Sequence, residues 1–418
     1  MPEQMKKTYI TPEANQWKPY SLADFATIAQ GYTFSKAYQG KDDGRWQYFK
    51  VADIGLESNG KYLRKAINSI NDETMQLIGC KPFPKGSIVF PRVGAALLNN
   101  NKKILAQDSV VDDNVLVLSI TNRDICNDEY LYYALQQIRL DSWSNSSLVP
   151  VISSTTVLKQ KILLPTIAEQ RRIAKILSTQ DRVIELYDRK IEQLKRFKKG
   201  MLSKLFPKPG RNTPEIRFTG FTEPWKRCRL SDLYNYACSG GTPSSNIEDY
   251  YNGSIPFLGI SDIASRVIMN TKKYISEEGL NNSSATIIPA GAITLAMYAS
   301  VGKVAIAGVP MATSQAFFNM VFTSTTTRDF IFNILEKAEL FAEWEPLIST
   351  GTQRNLNAEK IKNHIISIPA KDEMTAISSC FALLDRLFTL HQRLRDEEIQ
   401  KKKALMQLLL TGIVRVKG

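Results

Sequence analysis

Trp17-Lys-Pro-Tyr-Ser-Leu-Ala-Asp24-Phe25 returns half a chain later as Trp225-Lys-Arg-Cys-Arg-Leu-Ser-Asp232-Leu233. The correspondence continues in order. GYTFS at Gly31 aligns with GGTPS at Gly240, FKVADI at Phe49 with LGISDI at Leu258, and PKGSIVF at Pro84 with PAGAITL at Pro289. Each copy closes on a strand-like segment ending in proline, at Pro165 and at Pro369, and a long helical pattern follows. A collinear period of about half the chain marks a duplicated unit, here a globular domain plus a helix. The similarity is low, which indicates that the two copies have diverged toward different targets.

After Pro165, whose fixed φ suits a strand end or helix start, apolar residues alternate by threes and fours: Ile173, Leu177, Ile184, Tyr187, Ile191, Leu194, Met201 and Leu205, with only Gln180 and Lys198 out of step. A narrow stripe sustained for about four heptads predicts a coiled-coil seam, and some 40 residues would span roughly 60 Å. The second helix begins alike with Ile377, Phe381, Leu384 and Phe388. It loses the stripe through Arg395–Lys403 and recovers it at Leu405 and Leu409. In a chain ordered domain, helix, domain, helix, antiparallel packing of the two helices buries both stripes and sets the domains at opposite ends. Phe206-Pro-Lys-Pro-Gly-Arg-Asn-Thr-Pro214 must end the first helix.

The expected organisation is a tail over 1–15, a first domain over 16–165, helix 166–206, linker 207–224, a second domain over 225–369, helix 370–412 and a tail over 413–418. Short β-branched runs such as Val115-Leu-Val-Leu118 and Ile293-Thr-Leu295, separated by Gly, Pro and Asn turns, make both domains mixed α/β.

The balance of 54 Lys+Arg against 41 Asp+Glu, net +13 with pI near 9.3, favours a polyanionic partner. Nucleic acid leads over a membrane surface, because no apolar run approaches the roughly 18 residues that a bilayer span needs. The N-terminal residues lack the apolar core of a secretory signal, so a cytoplasmic protein is expected. Cys80, Cys126, Cys228, Cys238 and Cys380 are five in number without a C-x-x-C pair, which suggests neither a disulfide framework nor a zinc site.

Catalytic motifs are missing. There is no phosphate-cradling G-x-x-x-x-G-K-[ST] loop and no dinucleotide fingerprint. Two histidines, His364 and His391, leave little material for acid/base or metal chemistry. The Asn/Asp-Pro-Pro-aromatic turn of an amino-methylating pocket does not occur, and Asp188-Arg-Lys190, the one segment with the ending of a metal-nuclease motif, falls inside a heptad. No catalytic residue and no metal ligand is expected.

Polar loops with basic and amide side chains supply phosphate contacts and base-edge readout. In the first domain the candidates are Thr33, Ser35, Lys36, Arg92 and the run Asn99-Asn100-Asn101-Lys102-Lys103. In the second they are Thr242, Ser244, Ser245, Tyr298, Ser300, Lys303, Gln315 and the segment holding Gln353, Arg354 and Asn355.

From Trp17 to about Gly412 the chain resembles a specificity subunit of a type I restriction-modification system. The likeness rests on the duplicated order, on Trp17 and Trp225 leading to Leu-x-Asp, on Gly-Gly-Thr-Pro-Ser at Gly240, on Ile-Ala-Glu-Gln-Arg-Arg-Ile-Ala-Lys-Ile-Leu at Ile167 and on Pro-Glu-Ile-Arg-Phe-Thr-Gly-Phe at Pro214. Two segments depart from it: Lys371-Asp-Glu-Met-Thr-Ala in place of Glu-Gln-Arg-Arg, and Gly31-Tyr-Thr-Phe-Ser without Gly-Gly or Pro. The resemblance implies two target-recognition domains, each reading half of a split site in double-stranded DNA, with the helices as a ruler for the spacer. It also implies two methyltransferase subunits docked on the chain and restriction subunits joining the complex; S-adenosylmethionine, ATP and magnesium would belong to those partners. Two rivals make different predictions. A coiled-coil scaffold would bind DNA without sequence preference, and a DNA-modifying enzyme would act as the purified chain alone.

Overall fold

The computed structural model describes residues 17–56, 59–145, 148–349 and 354–416. Its contacts gather into two compact units, Met1–Leu186 with Asp396–Gly418, and Tyr187–Arg395. Each unit therefore holds one globular module together with parts of two long helices, Ile167–Leu205 and Lys371–Leu410. The second helix is unbroken through Arg395–Lys403, where its apolar stripe lapses.

In the first unit, strand Lys18–Ser21 pairs antiparallel with Lys161–Leu164. Among the described residues the module then forms a five-stranded sheet ordered Ala26–Gln30, Val115–Ile120, Ile88–Pro91, Lys103–Leu105, Tyr62–Leu63, and a three-stranded sheet ordered Asn68–Ile70, Trp46–Phe49, Val110–Val111. The second unit repeats the plan. Lys226–Arg229 pairs with Ile365–Ile368. Its five-stranded sheet runs Tyr236–Cys238, Phe317–Val321, Ile293–Ala296, Val304–Ala307, Val267–Ile268, and its other sheet runs Lys273–Ile275, Ile255–Leu258, Met311–Thr313, with Thr286–Ile288 added at the edge. The parallel pairs recur as well: Tyr62–Leu63 with Lys103–Leu105 matches Val267–Ile268 with Val304–Ala307, and Trp46–Phe49 with Val110–Val111 matches Ile255–Leu258 with Met311–Thr313.

The repeated sequence words are the turn chemistry of this plan. The carboxylate of Asp24 accepts from the backbone N–H of Ser21 at 2.7 Å, and Asp232 from that of Arg229 at 3.0 Å. Asp53 accepts from Lys50 N–H at 2.8 Å, and Asp262 from Gly259 N–H at 2.9 Å. A short acidic side chain satisfies a donor that the turn leaves open, while Leu22 and Leu230 beside two of these caps are fully buried. Gly86 and Gly291 both adopt a left-handed φ, 90° and 89°, a conformation that a side chain would oppose by about 1–2 kcal/mol.

Within the first unit Ile173, Ala174 and Leu177 share a core with Trp17, Leu164, Met406 and Leu409. The opposing numbering shows that the helices run antiparallel there. Gln180 fits the core because its amide donates to the carbonyl of Glu398 at 3.1 Å. Within the second unit Leu202, Leu205, Phe206, Ile377 and Phe381 join Trp225 and Phe330 in one cluster, and Tyr187 meets His391 edge-on. Ile191 is buried, while Ile184, Tyr187, Leu194, Leu384 and Phe388 are half-buried. Burial is deepest where a helix also meets a module, since the module supplies apolar surface that a lone partner helix cannot.

A buried carboxylate anchors each helix start. Glu373 receives both arms of Arg217, at 2.8 and 2.6 Å, and the indole N–H of Trp225 at 3.1 Å. Glu169 receives both arms of Arg415, each at 2.7 Å. Glu373 thus occupies the place of Glu169, so Lys371-Asp-Glu-Met-Thr-Ala, set apart from the Glu-Gln-Arg-Arg pattern in sequence, retains the one side chain that makes the anchor.

Candidate nucleic-acid interface

In the first module four loop segments adjoin. Gly31 N–H donates to Val115 O and Tyr32 N–H to Val111 O, at 3.1 and 2.9 Å; Arg92 N–H donates to Asn114 O at 2.8 Å, and Ile152 N–H to Arg92 O at 2.9 Å. The Thr33 hydroxyl donates to Asp113 at 3.0 Å. The second module builds the same platform. Gly240 N–H donates to Ser314 O, Met297 N–H to Ala316 O and Leu356 N–H to Met297 O. The Thr242 hydroxyl donates to Gln315 at 2.9 Å, and Tyr298 bridges to Asn355. Thr33 therefore corresponds to Thr242, Asp113 to Gln315, and Arg92 to Met297.

Gly31 and Gly240 are demanded by this packing. A Cβ at Gly31 would lie 2.3 Å from Asp112 O, and one at Gly240 1.7 Å from Thr313 O. One residue beyond Val93 and Tyr298, Gly94 at φ 75° is answered by Ala299 at φ 56°. A non-glycine residue held left-handed next to exposed Tyr298 and Ser300 is strain located in a candidate contact loop.

Thr33, Ser35, Lys36 and Asn99 are exposed, and Arg92 is half-buried. Ser35 also caps a short turn through Ala37 N–H. The run from Asn99 to Lys103 is not one contact surface. Asn100 turns inward at φ 54°, where its side-chain Oδ1 accepts from Leu140 N–H at 2.9 Å and from Lys102 Nζ at 2.7 Å. Lys102 is only 2% exposed and also donates to Ile138 O at 2.8 Å. Burial pulls its pKa down to about 8. An ammonium spent on two internal acceptors is not available to a phosphate, which corrects its assignment as a surface contact. Lys103 is half-buried and bonds to Gly60 O.

In the second module Thr242, Ser244, Ser245, Tyr298, Ser300, Gln315 and Arg354 are exposed, with Lys303 and Asn355 half-buried. Arg354 donates to Glu345 at 2.5 Å, and Lys303 faces Glu339, whose pKa burial raises against the pull of that lysine. Gln353 lies outside the described residues. The platform therefore brings together Thr242, Gln315, Tyr298 and Asn355 in one module, and Thr33 and Arg92 in the other; Ser35, Lys36, Ser244 and Ser245 continue outward from it along the chain. Asp113 escapes a search for basic and amide residues. Its signal is positional, since it follows the strand Val110–Val111 as Gln315 follows Met311–Thr313. Among the described residues no group of three or more His, Cys, Asp or Glu side chains is placed to hold a metal ion, and no helix is long and apolar enough to cross a membrane.

One scaffold built twice, presenting two different sets of polar loop side chains on a basic chain, defines a protein with two recognition modules of a kind suited to DNA. The chain belongs to the type I restriction modification DNA specificity domain family, whose model matches residues 14–196 and 222–401. It is 26% identical over 334 residues to the type I restriction enzyme MjaVIII specificity subunit of Methanocaldococcus jannaschii, covering 77% of this chain and 78% of the relative. It is 22% identical to the HindI specificity subunit of Haemophilus influenzae, covering 86% and 91%. The fold is that of the type I restriction-modification S subunit from M. genitalium, with TM-score 0.57, 13% identity and coverage of 94% and 96%. It also matches a chain from a study of type I R-M complex assembly and conformational transition, with TM-score 0.59, 14% identity and coverage of 97% and 99%. The chain is a DNA-specificity subunit of a type I restriction-modification system.

Proposed function

We propose that each module reads one half of a two-part site in double-stranded DNA, and that the long helices set the unread spacer and dock two methyltransferase subunits, to which restriction subunits are added. The observation that carries this reading is the pair of equivalent loop platforms with different side chains: Thr33, Asp113 and Arg92 in one, Thr242, Gln315 and Met297 beside Tyr298 in the other. Hydroxyl, amide and basic groups of this kind bond base edges and phosphates, and different sets at equivalent places select different bases. Exposed Leu186, Phe197, Leu383 and Leu390 on the long helices offer apolar contacts for partner subunits. The chain itself carries out no chemistry. S-adenosylmethionine, ATP and magnesium act on the partners, and the complex works in the cytoplasm, where the DNA is.

The test is to co-express the chain with its methyltransferase subunit, map methylated bases across the genome, and repeat with residues 31–150 exchanged for a foreign module. Methylation at a split motif, with one half changed by the exchange and the other kept, is the expected result. Absence of a split motif, or methylation by the chain alone, sinks the reading.

A further inference from the structure

Away from the loop platforms, each unit carries the same cluster of charges at the joint between its module and its long helices. In the first unit Lys61 Nζ bonds Glu129 at 3.2 Å and the Tyr133 hydroxyl at 2.9 Å. That hydroxyl donates to Asp181 on the first helix at 2.5 Å, and Asp181 also takes Lys402 from the second helix at 2.5 Å. In the second unit Arg266 meets Asp329 at 3.5 Å and donates to Asn333 at 2.9 Å and to Asp385 on the second helix at 2.9 Å. Asp385 also takes Lys198 from the first helix at 2.6 Å.

The two clusters correspond at the cation, the module helix, the helix carboxylate and the helix lysine, and the second adds a bond from Lys198 to Glu336 at 2.6 Å. Lys61 and Arg266 each accept, through their own carbonyls, the N–H of the equivalent strand residues Ile104 and Ile306. The helix segments Glu129-Tyr-Leu-Tyr-Tyr133 and Asp329-Phe-Ile-Phe-Asn333 align residue for residue. Each cation also lies over the ring at the same place in its module helix, Lys61 over Tyr132 at 5.3 Å and Arg266 over Phe332 at 4.3 Å. Asp181 and Asp385 stand at matching places in their helices, as do Lys198 and Lys402. Each cluster draws side chains from four segments: the residue just before a short module strand, a module helix and both long helices.

We infer that these clusters are positioning locks which fix the seat of each recognition module on the helix pair, and thereby the spacing of half-sites that the subunit accepts. An apolar contact tolerates sliding and rotation; charge-assisted bonds between groups that are only 15–25% exposed, as for Arg266, Asp385, Lys198, Asp181 and Lys402, are satisfied in one geometry alone. A module freed to pivot on the helices carries its loops along the DNA and accepts neighbouring spacers. The inference rests on the two-part reading and goes beyond it by naming Lys61, Asp181 and Lys402, with Arg266, Asp385 and Lys198, as residues that set spacing without touching a base.

The experiment uses the chain co-expressed with its methyltransferase subunit, challenged with plasmids in which the two half-sites stand at the native spacing and at one base pair more and less. Lys402→Met and Lys198→Met each remove the ammonium that two helices share, while Lys402→Arg and Lys198→Arg keep the charge. The methionine variants should raise methylation at the altered spacings, relative to the native one, by about tenfold. The half-site sequences should stay unchanged, and the arginine variants should match wild type. The inference is overturned if methionine variants that melt like wild type keep the wild-type spacing ratio, or if methylation falls equally at every spacing. A wild-type complex that methylates no split site overturns the two-part reading itself, and is told apart because it appears before any variant is made.

Discussion

In the first module Lys61 reaches the helix carboxylate Asp181 through the hydroxyl of Tyr133, whereas in the second Arg266 bonds Asp385 directly and Asn333 stands at the side. The cations are of different reach and the intermediaries of different length, and the pairs have changed together: a short amine with a long phenol, a long guanidinium with a short amide. Burial lowers the pKa of Lys61 against the pull of Glu129 and Asp181. The duplicated scaffold keeps the aspartate and lysine of the long helices and exchanges the module side chains that reach them, and in the contact loops it keeps the backbone pairing and changes the side chains.

The largest difference between the units should appear at the anchors. Glu373 is 1% exposed and holds both Arg217 and the Trp225 indole, while Glu169 holds Arg415 with the Trp17 indole nitrogen buried and unpartnered nearby. Glu373→Ala strands a half-buried guanidinium and a buried indole donor together. It should cost about 3–5 kcal/mol, and Glu169→Ala should cost less, since the third bond lost there is the longer one from Val416 N–H at 3.3 Å in place of the indole's at 3.1 Å. Urea-unfolding midpoints of the two variants decide it; a larger loss from Glu169→Ala would break the equivalence of the anchors.

A smaller contrast sits in the platforms. Ala299 occupies the left-handed conformation that Gly94 occupies in the other module, and a Cβ at Gly94 would meet nothing within 4 Å. Ala299→Gly should therefore leave stability unchanged or raise it by up to about 1 kcal/mol, and Gly94→Ala should lower it by a similar amount. Thermal melting with opposite signs sharpens the comparison. Equal losses would mean that Ala299 is held by packing, not strained.

Much of the scaffold was legible because its signals are local. The capping aspartates 24, 53, 232 and 262 and the turn glycines 86 and 291 act within a few residues of themselves, so they survive divergence as recognisable words. The joints were not legible. Nothing in the sequence brings Lys61 to Tyr133, or Arg266 to Asp385, until strands and helices are folded against one another. Glu373 was hidden for the same reason, because its partners Arg217 and Trp225 lie far away in sequence. The polar run Asn99–Lys103 misled in the opposite direction: residue type suggested a surface, and the backbone turn at Asn100 carried Lys102 beneath it.

That misreading supplies the finest test of which cations face DNA. Lys36 is exposed on the loop that follows Thr33, whereas Lys102 is buried. Lys36→Met should weaken DNA binding at every sequence and lower the slope of log affinity against log salt by about one, with no change in melting. Lys102→Met should leave both affinity and slope as they are. Its effect belongs to folding, and the sign follows from its pKa. The folded chain releases the Lys102 proton near 8, the unfolded chain near the ordinary 10.5, so the unfolded state binds more protons between those values and stability rises with pH across that window. Lys102→Met should flatten that rise. A salt slope reduced equally by both substitutions would put Lys102 back on the DNA-facing surface and undo the distinction between a contact loop and the turn that supports it.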